Sequence, residues 1–207
     1  PPSPAMTKAY LANSARYLTG AVAGDTLPSI GQGMGEMNLG FAFDGVARIV
    51  KHQIPAQEFS ATSQSRTFTG TVSDPSKPFR VTLAFTDAPG STVGNAFVNN
   101  LDLTVTVGGN TYKGNVFNLA NSITGGSADP ANNLESVFLP AGVTGNFIIT
   151  VNATNIAGDG VPGDGDATDQ DFALVCYNCV EAPVSVIAAA GSTVTEENCL
   201  PFDGMVG

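Results

Sequence analysis

The chain has 207 residues, 43% of them hydrophobic, so it is long enough to bury a real core and too apolar for a disordered segment. Glycine contributes 24 residues, charged residues only 13% and tryptophan none, a turn-rich balance that argues against helical bundles and coiled coils. The net charge of −10, with eight basic residues in all, excludes a phosphate-binding surface for nucleic acid, and no apolar run is long enough to span a bilayer.

In chain order, the first expected element is a helix. Ser3 stands in the capping position and Pro4 at the first helical position, and a mostly apolar face built on Met6, Ala9 and Tyr10 runs toward Gly20. After a glycine-rich passage, a second short helix fits Asn38 to Val46, with Asn38 as its cap. The hydrophobic period then shifts from about 3.6 to 2. Phe79, Val81, Leu83 and Phe85 alternate with Arg80, Thr82, Ala84 and Thr86, and Leu101, Leu103, Val105 and Val107 alternate with Asp102, Thr104 and Thr106. Residues 66–72, 134–139, 146–152 and 171–177 read the same way, with weaker strands near 56–60 and 111–113. No helix separates these strands, so they pair antiparallel. The fold class is therefore mainly β: an antiparallel jelly roll or β-sandwich of about eight strands, preceded by two short helices. Three regions are expected: 1–50 helical, 51–181 the sandwich, and 182–207 a linker or the opening of a further module. The first is electrically neutral; residues 51–180 hold eleven acids against five bases.

The only histidine, His52, sits at the expected junction and no nucleophile elbow is present, so the chain carries no self-contained serine-hydrolase site. Oxygen-rich passages instead point to a hard cation such as calcium, which takes carboxylates, amide oxygens and backbone carbonyls. Asn99-Asn100-Leu101-Asp102 offers such oxygens at the start of one strand, Asn132-Asn133-Leu134-Glu135 at the start of another, and Asp87 closes a third. The stretch from Gly158 to Asp171 holds Asp159, Asp164, Asp166, Asp169 and Asp171 without a single Lys or Arg, a repulsive arrangement unless a cation or water screens it. The candidate ligands are Asp87, Asn100, Asp102, Asn133, Glu135, Asp164, Asp166 and Asp171. Cys176 and Cys179 are spaced C-x-x-C and Cys199 lies in the tail; a disulfide from Cys199 to one of the pair, or a tight loop within the pair, leaves one odd thiol.

Several of these passages carry a resemblance. Ser3-Pro4-Ala5-Met6-Thr7-Lys8-Ala9 with Asn13-Ser14-Ala15 resembles the late helix of subtilisin-like serine peptidases. Gly33-Met34-Gly35-Glu36-Met37-Asn38 is similar to their closing G-x-G-x-V-N segment, with Met37 where Val is usual. Phe85-Thr86-Asp87-Ala88-Pro89, Asn100-Leu101-Asp102-Leu103, Asn132 to Phe138 and Gln170 to Val175 resemble the β-sandwich that follows the catalytic domain in a subgroup of these enzymes. Two departures are Phe85, where relatives carry Trp, and Asn100, near which they carry Asp. The resemblance implies a secreted protein whose catalytic Asp, His and Ser lie upstream of Pro1. Residues 1–50 would then be the end of the peptidase domain, partnered by the rest of that domain, with the sandwich holding calcium and assisting with protein substrates. The alternative expectation is a calcium-dependent carbohydrate- or surface-binding module.

Overall fold

A computed structural model describes residues 1–20 and 23–183. They form two helices, α1 (Pro4–Asn13) and α2 (Leu39–Ala42), a 3-10 turn at Pro55–Gln57, and ten strands. The strands are β1 (Arg48–His52), β2 (Ser65–Val72), β3 (Phe79–Ala84), β4 (Asn100–Val107), β5 (Asn110–Asn118), β6 (Asn121–Thr124), β7 (Leu134–Leu139), β8 (Asn146–Asn155), β9 (Ala173–Tyr177) and β10 (Cys179–Glu181). Two antiparallel sheets result, one in the order β1-β9-β3-β7 and the other β10-β2-β8-β4-β5-β6. The protein is a mainly β sandwich, as its period-2 patterning predicts. No helix among the described residues is long and apolar enough to cross a membrane.

Alternation decides which faces meet. Leu101, Leu103, Val105 and Val107 of β4 and Phe147, Ile149, Val151 and Ala153 of β8 turn inward against Phe79, Val81 and Leu83 of β3, Val137 and Leu139 of β7, and Leu174 of β9. These side chains are almost wholly buried. Each such burial stabilises by about 1.5–3 kcal/mol relative to exposure. The other face of β3 and β9 is covered as well, because α1 lies across it: Ala5, Met6 and Ala9 pack on Ala84, Ala173 and Val175. Thr82, expected on a half-exposed face, is therefore fully buried and bonded to Ser136 and Asn13.

The first helix begins as expected, with Ser3 Oγ accepting the Met6 N–H at 3.1 Å. It ends at Asn13 rather than near Gly20. Asn13 turns into the interface to reach Thr82 Oγ1 (3.1 Å) and the Val175 carbonyl (3.3 Å), and the Arg80 guanidinium donates to the carbonyls of Asn13 and Ala15. Burial lowers the Arg80 pKa to about 10. The expected boundary after residue 50 falls inside β1, which pairs with β9 from Arg48 to His52. His52 Nε2 accepts the Ser3 N–H at 3.0 Å, so the single histidine anchors the helix start.

Cys176 and Cys179 form a disulfide that ties β9 in one sheet to β10 in the other. The turn between them is held by Asn178, in the left-handed region at φ 67°, whose side chain accepts the Asp74 N–H and donates to the Asp74 carbonyl. The tight-loop pairing is the one observed; Cys199 and most of region 182–207 lie outside the described residues.

Candidate metal centre

The loops at one end of the sandwich are joined by a buried polar plug. Asp87, just past β3, accepts the N–H groups of Val98 and Asn99, both at 2.8 Å. This closes the loop between β3 and β4 and fixes the backbone of Asn99. The Asn99 side chain is buried and fully used: Oδ1 accepts from Ala157 (2.8 Å) and Gly158 (3.0 Å), while Nδ2 lies in bonding range of the Gly158 carbonyl, the Asp169 carbonyl and Gln170 Oε1. Gln170 Nε2 in turn donates to the carbonyls of Thr86 and Asp171. A β-carbon on Gly160 would stand 2.5 Å from Gln170 Oε1, so only glycine admits this approach.

On this base stands Asp169, whose residue is fully buried. Its Oδ1 accepts the N–H groups of Gly160 and Val161 at 2.8 Å each, and its Oδ2 has no hydrogen-bond partner. A buried acceptor left in that state costs about 1–3 kcal/mol, more when charged. Asp159 forms an isolated parallel bridge with Asp169 and carries a second buried, unpartnered oxygen, Oδ1.

Glu58 reaches the same place from far away in sequence. Phe59 and Gln170 exchange backbone hydrogen bonds at 2.9 and 2.8 Å, which sets Glu58 beside Asp169. Arg66 fastens this segment by donating to the carbonyls of Gln57 and Glu58 rather than to a carboxylate. One oxygen each from Glu58, Asp164 and Asp169 then lie within 4.8 Å of one another. Burial first, and then the neighbouring aspartates, raise the Glu58 pKa; burial first also raises that of Asp169, against the opposing N–H bonds of Val161 and Gly160. None of the ion pairs found among the described residues involves these acids.

The eight residues expected as ligands take distinct positions. Asp164 belongs to the three-acid group, and Asp166, whose N–H donates to Asp164 Oδ1 at 3.0 Å, and Asp171 flank it. Asp87 serves the plug just described. Asp102 accepts from Asn100 Nδ2 and from Thr154 Oγ1. Asn133 donates to the Phe85 carbonyl at 3.0 Å and accepts from Lys8. Glu135 is fully buried, with Oε2 accepting the Leu103 N–H at 2.7 Å and Oε1 unpartnered. Burial, with Asp102 and Asp129 nearby, pushes its pKa up to about 9 despite the Leu103 bond. Among the described residues, the acids that meet closely enough to share one ion are Glu58, Asp164 and Asp169.

Two members of this end escape the sequence. Asp169 is one of five aspartates between residues 159 and 171, of which Asp164, Asp166 and Asp171 are the expected ligands, and nothing in the spacing marks Asp169 as the buried one. Glu58 has no local signal, since only the Phe59 to Gln170 bridge brings it in. Searched against family models and against curated proteins, the chain matches none.

Proposed function

We propose that the chain is the non-catalytic rear portion of an extracellular subtilisin-like serine endopeptidase, with calcium as its structural cofactor. In this reading the sandwich stabilises the enzyme and helps present protein substrates. The observation that carries it is the mutual wiring of the passages bearing the resemblance. Gln170 holds the Thr86 carbonyl, Asn133 holds the Phe85 carbonyl, and Glu135 receives the Leu103 N–H, so four stretches distant in sequence close on one another through side chains. Their recurrence as a set then has a physical reason: each supplies a partner for another. The seating of α1 across β3 and β9 adds support, because a helix that ends a catalytic domain would transmit the sandwich's rigidity to it.

The test is made on the full-length enzyme, upstream domain included. Removing residues 51–181 is expected to shorten its half-life at elevated temperature by roughly tenfold or more, while kcat/KM for a short peptide changes by less than about twofold. Equal heat resistance with and without the sandwich would remove the reading.

A further inference from the structure

We infer that Glu58, Asp164 and Asp169, with Asp159 alongside, form the seat of one divalent cation of calcium's class. This deepens the calcium part of the proposed function and rests on it, by naming which acids hold the ion. Two independent observations meet here. The first is the gathering of three carboxylate oxygens within 4.8 Å of one another, which fits oxygens arrayed on opposite sides of an ion at the 2.3–2.6 Å typical of calcium. The second is Asp169 Oδ2, an oxygen without a donor on a residue with no solvent exposure. The cluster alone would describe a solvated acidic surface; the buried, unpartnered oxygen does not.

The donor chemistry narrows the ion. Among the described residues only carboxylate oxygens assemble, the single histidine is bonded to Ser3, and Cys176 and Cys179 are joined to each other, so nitrogen- and sulfur-seeking metals find no partners among them. Asp169 is held from below by two N–H groups on Oδ1, leaving Oδ2 as the oxygen that a cation would complete. The ion would also link two segments a hundred residues apart, the turn before β2 and the loop between β8 and β9.

Calcium chloride is titrated into the whole chain by calorimetry, with melting followed in calcium and in chelator. One calcium ion is expected to bind, raising the melting temperature by several degrees at saturating calcium. Glu58→Gln and Asp169→Asn should each weaken binding by about tenfold or more, whereas Glu36→Gln, at an exposed acid paired with Arg16, leaves it unchanged. Should Asp169→Asn fail to fold, Glu58→Gln, on a partly exposed residue, decides alone. Calcium binding that persists in both variants would overturn this seat and leave the broader calcium reading standing. Absence of any binding to the unaltered chain would overturn both, with the role in the peptidase still judged by heat resistance of the truncated enzyme. Magnesium bound as tightly as calcium would overturn the assignment to calcium's class.

Discussion

Glu135→Gln is expected to make the protein more stable than its parent at pH 8 and no more stable at pH 4. Glu135 is wholly enclosed between the sheets, with one hydrogen bond, from the Leu103 N–H, and no donor for its other oxygen. Burial, reinforced by Asp102 and Asp129, raises its pKa from 4.5 to about 9. The sign follows from proton counting. Between these two values the folded chain keeps the proton that the unfolded chain has lost, so stability is greatest below pH 4.5 and declines as the pH rises toward 9. Each pH unit in that window is worth about 1.4 kcal/mol, and relaxation around the group reduces the total, so a gain of roughly 2–4 kcal/mol for the glutamine protein at pH 8 is the reasonable expectation. Glu58 and Asp169 bend the curve in the same direction, but they are common to both proteins, and the difference between the two curves isolates Glu135. Urea unfolding at pH 4, 6 and 8 reads it. Parallel curves, or a glutamine protein weaker at pH 8, would contradict the enclosed-acid description. The position also explains Gly114, where any β-carbon would lie 2.1 Å from Glu135 Oε2.

The second large effect belongs to Asn99. Its buried amide receives two backbone N–H groups and lies in bonding range of three acceptors from the β8–β9 loop and Gln170, two of them on the fully buried Asp169 and Gln170. Asn99→Ala removes every one of these contacts and leaves the acceptors on the buried Asp169 and Gln170 without this donor. At about 1–3 kcal/mol for each group stranded, moderated by local rearrangement, the loss should be about 3–5 kcal/mol. Asn99→Asp keeps the accepting oxygen but places a negative oxygen against the Asp169 carbonyl and Gln170 Oε1, so it should be no milder. Denaturant midpoints give the size of the effect, and amide exchange at Ala157 and Gly158 gives its location. A loss below about 1 kcal/mol with unchanged protection at those amides would show that the plug does not hold this end together.

The strands were legible wherever one face alone is buried. β4 and β8 follow the expected alternation almost residue for residue, because a period of two reports a sheet with a wet side. Where a second layer intervenes the strands are found but one face is misread, since Thr82 and Ala84, on the polar side of the expected alternation, lie buried on the side that α1 covers; where a strand is short the pattern itself is lost. β1, β6 and β10 are brief edge strands, each of at most five residues, too few for the period to stand out. The first helix was expected to run on because nothing in residues 14–19 forbids it locally; Asn13 and Arg80 stop it through contacts made across 65 or more residues. The same division applies to the candidate centre. The aspartates of residues 159–171 advertise an oxygen-rich loop, whereas Glu58 depends on a register set by Phe59 and Gln170. Asp102 and Glu135 look alike in sequence as strand-entering acids, yet one is bonded on the half-exposed face of a central strand and the other is sealed inside.

The claim that the acidic end of this sandwich is a built cation seat is tested most directly by diffraction from crystals of the chain grown in calcium chloride. An anomalous difference map should show one strong peak about 2.3–2.6 Å from oxygens of Glu58, Asp164 and Asp169. A map empty at that point, or a peak beside Asp102 and Glu135 instead, would contradict it.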